Sequence, residues 1–287
     1  MKILSKTTIN IYTPGSETPE TPKSKVGLDA IGHKEVLGRL DMVIAFDTTG
    51  SMAAYIDDVR RQVAEMVPRL FKENKDLRLG IVAFGDYCDM ESANDFGDAY
   101  QCLPLTDNEN AIVRFVKEAG NTGGGDGDEF YELVINKIVN ETNWRENSTR
   151  AVLLIADANP HEVGYSYGTI VYNAQIDWRE EARRAAAKNI RFDTVTITRA
   201  PWYKELSAMT NGISVPFSSS GKTSELVEAT AMARGSMESR RRWREKARKA
   251  AESGDGETRM MYSCMASTAL NFDGEALFDD DDKPTSK

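Results

Sequence analysis

Two hydrophobic rhythms alternate along most of this chain. "LDMVIAF" over residues 40–46 is an apolar run of strand length, and Ile56, Val59, Val63, Met66, Val67 and Leu70 follow it at helical spacing. "LRLGIVAFG" over 77–85 is a second buried-strand run, and "DNENAIVRFVKEAG" over 107–120 predicts a helix with Asp107 as its N-cap. The pattern then predicts a helix in "DEFYELVINKIVNE" (128–141), a strand in "RAVLLIADA" (150–158), a helix in "WREEARRAAAKN" (178–189) and a strand in "IRFDTVTIT" (190–198). The helical stretch "WYKELSAMTNG" ends on an Asn-Gly stop signal before a last short strand, "ISVPF". Strands apolar on both faces, alternating with amphipathic helices, predict an α/β fold: a doubly wound, mostly parallel sheet covered on both sides. In such sheets ligands bind beyond the carboxyl ends of the strands, so the loops that follow those runs are where function is to be sought.

The rhythm is absent at the ends. Residues 13–26 are rich in Pro, Thr, Ser and charge, which suits an extended arm or linker over residues 1–37. The alternating region is expected over 38–220. Two helical segments follow over 221–252, the second ("MESRRRWREKARKAAES") crowded with Arg and Lys, and residues 253–287 read as a tail, acidic at its end. The basic helix reads as a solvated face whose side-chain stems cover apolar surface. No internal repeat is visible.

Composition narrows the function. The 287 residues suffice for one large domain, or one of about 200 residues with extensions. A formal net charge of −9 argues against general nucleic-acid binding, which needs a basic face to neutralise phosphates. The three cysteines, Cys88, Cys102 and Cys264, form no CxxC pair, suggest neither a disulfide framework nor a cysteine zinc site, and fit a reducing compartment. The amino terminus lacks the apolar block of a secretory signal, and no stretch reaches the ~18 apolar residues of a membrane helix. A soluble, cytoplasmic protein is expected.

The candidate chemistry lies where the first strand ends. In "DTTGSM", Asp47, Thr49 and Ser51 occupy alternate positions, and Gly50 lets the backbone pass close. Taken alone, these residues also suit a helix N-cap with hydroxyl turn bonds. Two further loops supply oxygen: "NTGGGDGDEF" carries Asp126, Asp128 and Glu129, and "LLIADANPHE" places Asp157 at the end of its strand. Hydroxyls with few carboxylates make a hard-oxygen site suited to Mg²⁺ or Mn²⁺ rather than zinc. Asp86 and Asp89 in "GDYCD" read as solvated loop acids that can also orient or extend the site. His161 is expected to pack at the surface of its loop.

"DTTGSM", "TGGGDGDE" and "IADANPH", with "GIVAFGDYCD" and "PLTDN" between them, resemble the von Willebrand factor A domain, over roughly residues 38–220. The subgroup found beside atypical kinases and in many bacterial proteins is the most similar. The resemblance implies a metal-ion-dependent adhesion site with Asp47, Thr49 and Ser51 as the first motif, Thr49 and Ser51 as direct ligands, and Asp157 as the distal Asp. For the central ligand it leaves Thr122, Asp126 and Glu129; the acidic pair resembles the loop of integrin beta subunits, from which Asp128 departs where Pro is usual. The implied function is a non-enzymatic, metal-dependent adaptor that binds a partner's Asp or Glu within a larger assembly, with MoxR-type AAA+ ATPases among the implied partners. Two other classes stand beside it: a structural subunit of a particle with a vestigial metal site, and a metal-assisted hydrolase. The hydrolase lacks a G-x-S-x-G elbow, a triad order and a P-loop lysine.

Overall fold

The computed structural model describes residues 38–252 apart from 93–94, 168–174, 218–221 and 235–236, and beyond them residues 256, 258, 259 and 262. The expected arm over 1–37 and most of the expected tail over 253–287 lie outside the described residues.

Five parallel strands and one antiparallel edge strand form the main sheet. They are β1 (Arg39–Asp47), β2 (Asp76–Phe84), β3 (Tyr100–Thr106), β5 (Thr149–Ala156), β7 (Ile190–Thr196) and β8 (Ser214–Pro216), in the order β3-β2-β1-β5-β7-β8. The antiparallel member is β3, paired with β2. The chain moves outward from β1 through β2 to β3, then returns to build the other half from β5. The order therefore reverses beside β1, and a crevice opens between the carboxyl ends of β1 and β5.

Among the described residues seven α-helices cover the sheet: α1 (Ile56–Glu73), α2 (Glu109–Glu118), α3 (Tyr131–Glu141), α4 (Trp178–Ala187), α5 (Pro201–Met209), α6 (Lys222–Arg234) and α7 (Met237–Glu252). Alternate residues of β1 serve the two faces. Leu40, Met42, Ile44 and Phe46 pack with α1, α2, α6 and α7, whereas Val43 and Ala45 pack with α3, α4 and α5. That double coverage is why the strand reads as an apolar run rather than an alternation. The basic α7 buries Trp243 completely in the first of these cores while Arg241 and Arg244 face solvent.

Asp41 interrupts the apolar run of β1 and is fully buried. Arg78 grips both its oxygens at 3.0 and 2.8 Å, Arg145 donates from its amide (2.7 Å) and its Nε (2.8 Å), and the Ser148 hydroxyl adds 3.0 Å. Burial opposes the charge, but the Arg78 and Arg145 bonds outweigh it and hold the carboxyl below its ordinary value. This network ties β1, β2 and the turn before β5 together at the edge opposite the crevice.

Two local expectations are corrected, and one element is added. Asn108, not Asp107, caps α2, because its side-chain oxygen reaches the Ala111 amide at 3.0 Å. The helix expected from Asp128 begins at Tyr131, because Asp128–Glu129 (β4) pair in parallel with Asn159–Pro160 (β6) as a separate two-stranded ladder. The edge strand β3, which the apolar pattern does not announce, carries Gln101 and Pro104 among its apolar residues, as an edge position permits.

Candidate metal centre

The loop after β1 folds its own hydroxyls onto its carboxylate. Asp47 is fully buried, and its Oδ1 accepts from the Thr49 amide at 2.8 Å and the Thr49 hydroxyl at 2.7 Å. Thr49 Oγ1 lies 3.1 Å from Ser51 Oγ, and Ser51 Oγ donates to Asp157 Oδ1 at 3.2 Å. The crevice thus brings Asp47, Thr49, Ser51 and Asp157 into one hydrogen-bonded chain, with Ser51 exposed and Asp47 and Thr49 buried beneath it.

The glycine loop closes against this chain by backbone contact. Gly50 donates to the Gly123 carbonyl at 3.0 Å, and a Cβ on Gly50 would stand 2.9 Å from that same oxygen. Gly124 has φ +70°, a left-handed conformation, and faces Glu129 Oε1 so closely that a Cβ there would also approach it to 2.9 Å. Glu129 therefore lies beside Thr49, buried, and its Oε2 has no hydrogen-bond partner.

The other two candidates for the central position go elsewhere. Thr122 bonds Thr48: its amide reaches the Thr48 carbonyl at 3.0 Å, and the two hydroxyls lie 3.0 Å apart. Asp126 is exposed, accepts from the Tyr165 hydroxyl at 2.8 Å, and stands with Asp86 and His161.

Several supporting residues have no signal in the linear pattern. Tyr131, fully buried at the start of α3, donates to Asp47 Oδ2 and accepts from the Ala158 amide at 3.1 Å, which bridges the β1 and β5 loops. Asp89 accepts from the amides of Gly123 (2.8 Å) and Gly124 (3.1 Å) and so shapes the glycine loop. Asp89 is half-buried and Asp86 fully buried, which corrects their reading as solvated acids. His161 is likewise buried rather than packed at the loop surface, because its Nε2 lies 2.7 Å from Asp86 Oδ1 and its ring is stacked under Tyr165.

The electrostatics are those of crowded acids short of positive charge. Burial pushes Asp47 up to about 7 against the opposing bonds from Tyr131 and Thr49, and Asp157 adds repulsion. Burial, then the charges of Asp47 and Asp86, push Glu129 up to about 9. Burial also raises Asp157, partly opposed by Ser51. Five oxygen-bearing side chains with no sulfur or nitrogen among them, one with an unpartnered buried oxygen, fit a hard divalent cation, and such a cation would let the carboxylates ionise.

The model of the von Willebrand factor type A domain matches residues 41–229. The alpha-protein kinase vwkA of Dictyostelium discoideum is 30% identical over 171 residues, which cover 53% of this chain and 26% of that protein. A protein of Acanthamoeba polyphaga mimivirus described as ariadne-like with a RING finger is 24% identical over 190 residues, 60% of this chain and 18% of its own length. The chain thus spans about a quarter or less of these relatives. The crystal structure of an aerotolerance-related membrane protein from Bacteroides fragilis superimposes with a TM-score of 0.46 at 15% identity, covering 67% of this chain and 98% of that one.

Proposed function

Because the chain belongs to the von Willebrand factor type A domain family, we propose that it works as a metal-dependent protein-binding module. The observation that carries this reading is the convergence of Asp47, Thr49, Ser51 and Asp157 in one hydrogen-bonded chain, with the unpartnered Glu129 oxygen beside it.

In this reading Thr49, Ser51, Glu129, Asp47 and Asp157 hold a Mg²⁺ or Mn²⁺ ion. The bound cation supplies an electrophilic position for one further oxygen, a carboxylate of the partner. The chain's own residues do the rest. Ser51, the exposed member, presents the open side. Asp47 is fixed from both sides by Thr49 and Tyr131 and orients the hydroxyls. Affinity then depends jointly on the cation and on a single partner Asp or Glu, and a MoxR-type ATPase is one class of partner to be sought.

A hydrolase reading has less support. Ser51 is engaged by Thr49 and Asp157, and His161 is committed to Asp86, so among the described residues no imidazole is placed as a base for Ser51. Whatever the kinase and RING-finger relatives do as whole proteins extends well beyond the stretch they share with this chain.

The test is capture of partners from native extract by wild type and Ser51→Ala, each with Mg²⁺ and with EDTA. Recovery of a partner by wild type in Mg²⁺ alone is expected. The same partners in all four conditions would overturn the reading.

A further inference from the structure

A second group of ligating side chains lies one loop away from the first. Asp86 follows β2, whose last residue pairs with Asp47 in the sheet register; Asp126 lies in the glycine loop; His161 follows β6. One ligand atom from each falls within 4.8 Å of the other two. Asp86 is fully buried and His161 nearly so, while Asp126 is exposed, so the group is closed from below and open to solvent through Asp126.

Hydrogen bonding within the protein leaves this group incomplete. Asp86 uses Oδ1 on His161 Nε2 at 2.7 Å, and its buried Oδ2 makes no well-formed hydrogen bond, with the Asp89 amide and the Cys88 thiol as the nearby donors. A fully buried carboxylate oxygen without a well-formed hydrogen bond costs on the order of 1–3 kcal/mol, and such atoms are rare unless something else completes them. The supports are built as they are around metal ligands. Tyr165 stacks on the His161 ring with 3.6 Å between centroids and donates its hydroxyl to Asp126 Oδ2, so a single side chain orients two of the three groups. Glu132 accepts from the His161 amide at 3.1 Å and is itself held by the Tyr87 hydroxyl at 2.7 Å, which fixes the backbone from which the imidazole projects.

We infer that Asp86, Asp126 and His161 form a second cation site, distinct from the hydroxyl-rich centre at Asp47, and that it takes a first-row transition metal such as Zn²⁺. Two carboxylates balance a divalent charge. The imidazole nitrogen selects the class, since Mg²⁺ seeks oxygen alone whereas Zn²⁺, Co²⁺ and Mn²⁺ accept nitrogen with oxygen. Metal–ligand bonds of about 2.0–2.2 Å fit a triangle of this size after the direct His161–Asp86 contact opens. Binding replaces the proton that Nε2 shares with Asp86, and that proton is released to solvent. Water can complete the coordination on the Asp126 side. Glu129 lies within electrostatic reach of both Asp47 and Asp86, so the two centres are neighbours along the carboxyl edge of the sheet.

The experiment is a Co²⁺ titration of the full chain in saturating Mg²⁺, followed by visible d–d absorption and repeated with Asp126→Ala, His161→Gln and Ser51→Ala. One equivalent of Co²⁺ is expected to bind despite the Mg²⁺. It should weaken at least about 10-fold in Asp126→Ala and His161→Gln and stay within about twofold in Ser51→Ala. Asp126 is exposed, so that variant keeps the test decisive if His161→Gln fails to fold. Co²⁺ displaced by Mg²⁺, absent d–d bands, equal binding by Asp126→Ala, or loss only in Ser51→Ala would each overturn the second site. A failure here leaves the partner-capture test of the Asp47 centre untouched, because that test turns on Ser51.

Discussion

The buried carboxylates impose a direction on the protein's pH dependence. Asp47, Glu132 and Glu129 stand at about 7, 8 and 9, each raised mainly by burial above the ordinary carboxyl value near 4 that the unfolded chain shows. A raised folded value means the native state holds more protons than the unfolded state through that window. The stability it contributes is therefore complete below about pH 4 and is lost as the pH climbs through 7 to 9. His161 shifts the balance the same way: burial opposes its charge, but the bond to Asp86 prevails and raises it. In EDTA the urea midpoint should fall between about pH 6 and pH 9, and excess Mg²⁺ should shrink that fall, because a bound cation favours the ionised acids. Equal midpoints at both pH values in EDTA would contradict the burial of these groups.

At the scale of elements, the sheet keeps its two edges for different tasks. The carboxyl edge gathers acids without cations, whereas the opposite edge satisfies Asp41 with Arg78, Arg145 and Ser148. Asp41→Ala would leave Arg78 without its carboxylate and Arg145 with Asp76 alone, and should cost about 3–5 kcal/mol, as removing one partner of a buried pair does. Chemical denaturation measures the loss. Mg²⁺ affinity of the folded variant should not change, since the network lies at the far end of β1; a parallel loss of affinity would mean the two edges are coupled. The helices show the same economy. Tyr131 opens α3 and at once braces Asp47, so the element that covers one face also positions the site.

At the scale of the molecule, the helices after residue 221 share a core with the sheet. Val227 and Met232 of α6 and Trp243 of α7 lie in the same buried cluster as α1, and the Ser239 hydroxyl donates to the Glu73 carbonyl at 2.7 Å. Arg242 adds an ion pair to Glu73 at 2.9 Å. Trp243→Ala should destabilise the whole protein by about 3–5 kcal/mol in one cooperative transition. A separate early transition for α7, with the main midpoint unmoved, would show the helix to be an appendage instead. Among the described residues no helix is long and apolar enough to cross a membrane.

Periodicity alone determined the alternation of strands and helices, the mostly parallel sheet and the edge at which the candidate site lies, because each strand buried on both faces must be apolar throughout and each covering helix must carry a stripe. It also placed Asp47, Thr49, Ser51 and Asp157, since a strand's end is visible as the end of its run. Tertiary structure decided the rest. Glu129 and Asp126 sit three positions apart in one loop, yet the β4–β6 ladder and the left-handed Gly124 send the first toward Thr49 and the second toward His161. Tyr131, Asp89 and Asp86 act through partners 34 to 84 residues away, and no local pattern records them. Burial is a property of the folded surround: a carboxylate in a sequence has an ordinary affinity for its proton, and only enclosure by other chain segments raises it and leaves the Glu129 oxygen without a hydrogen-bond donor.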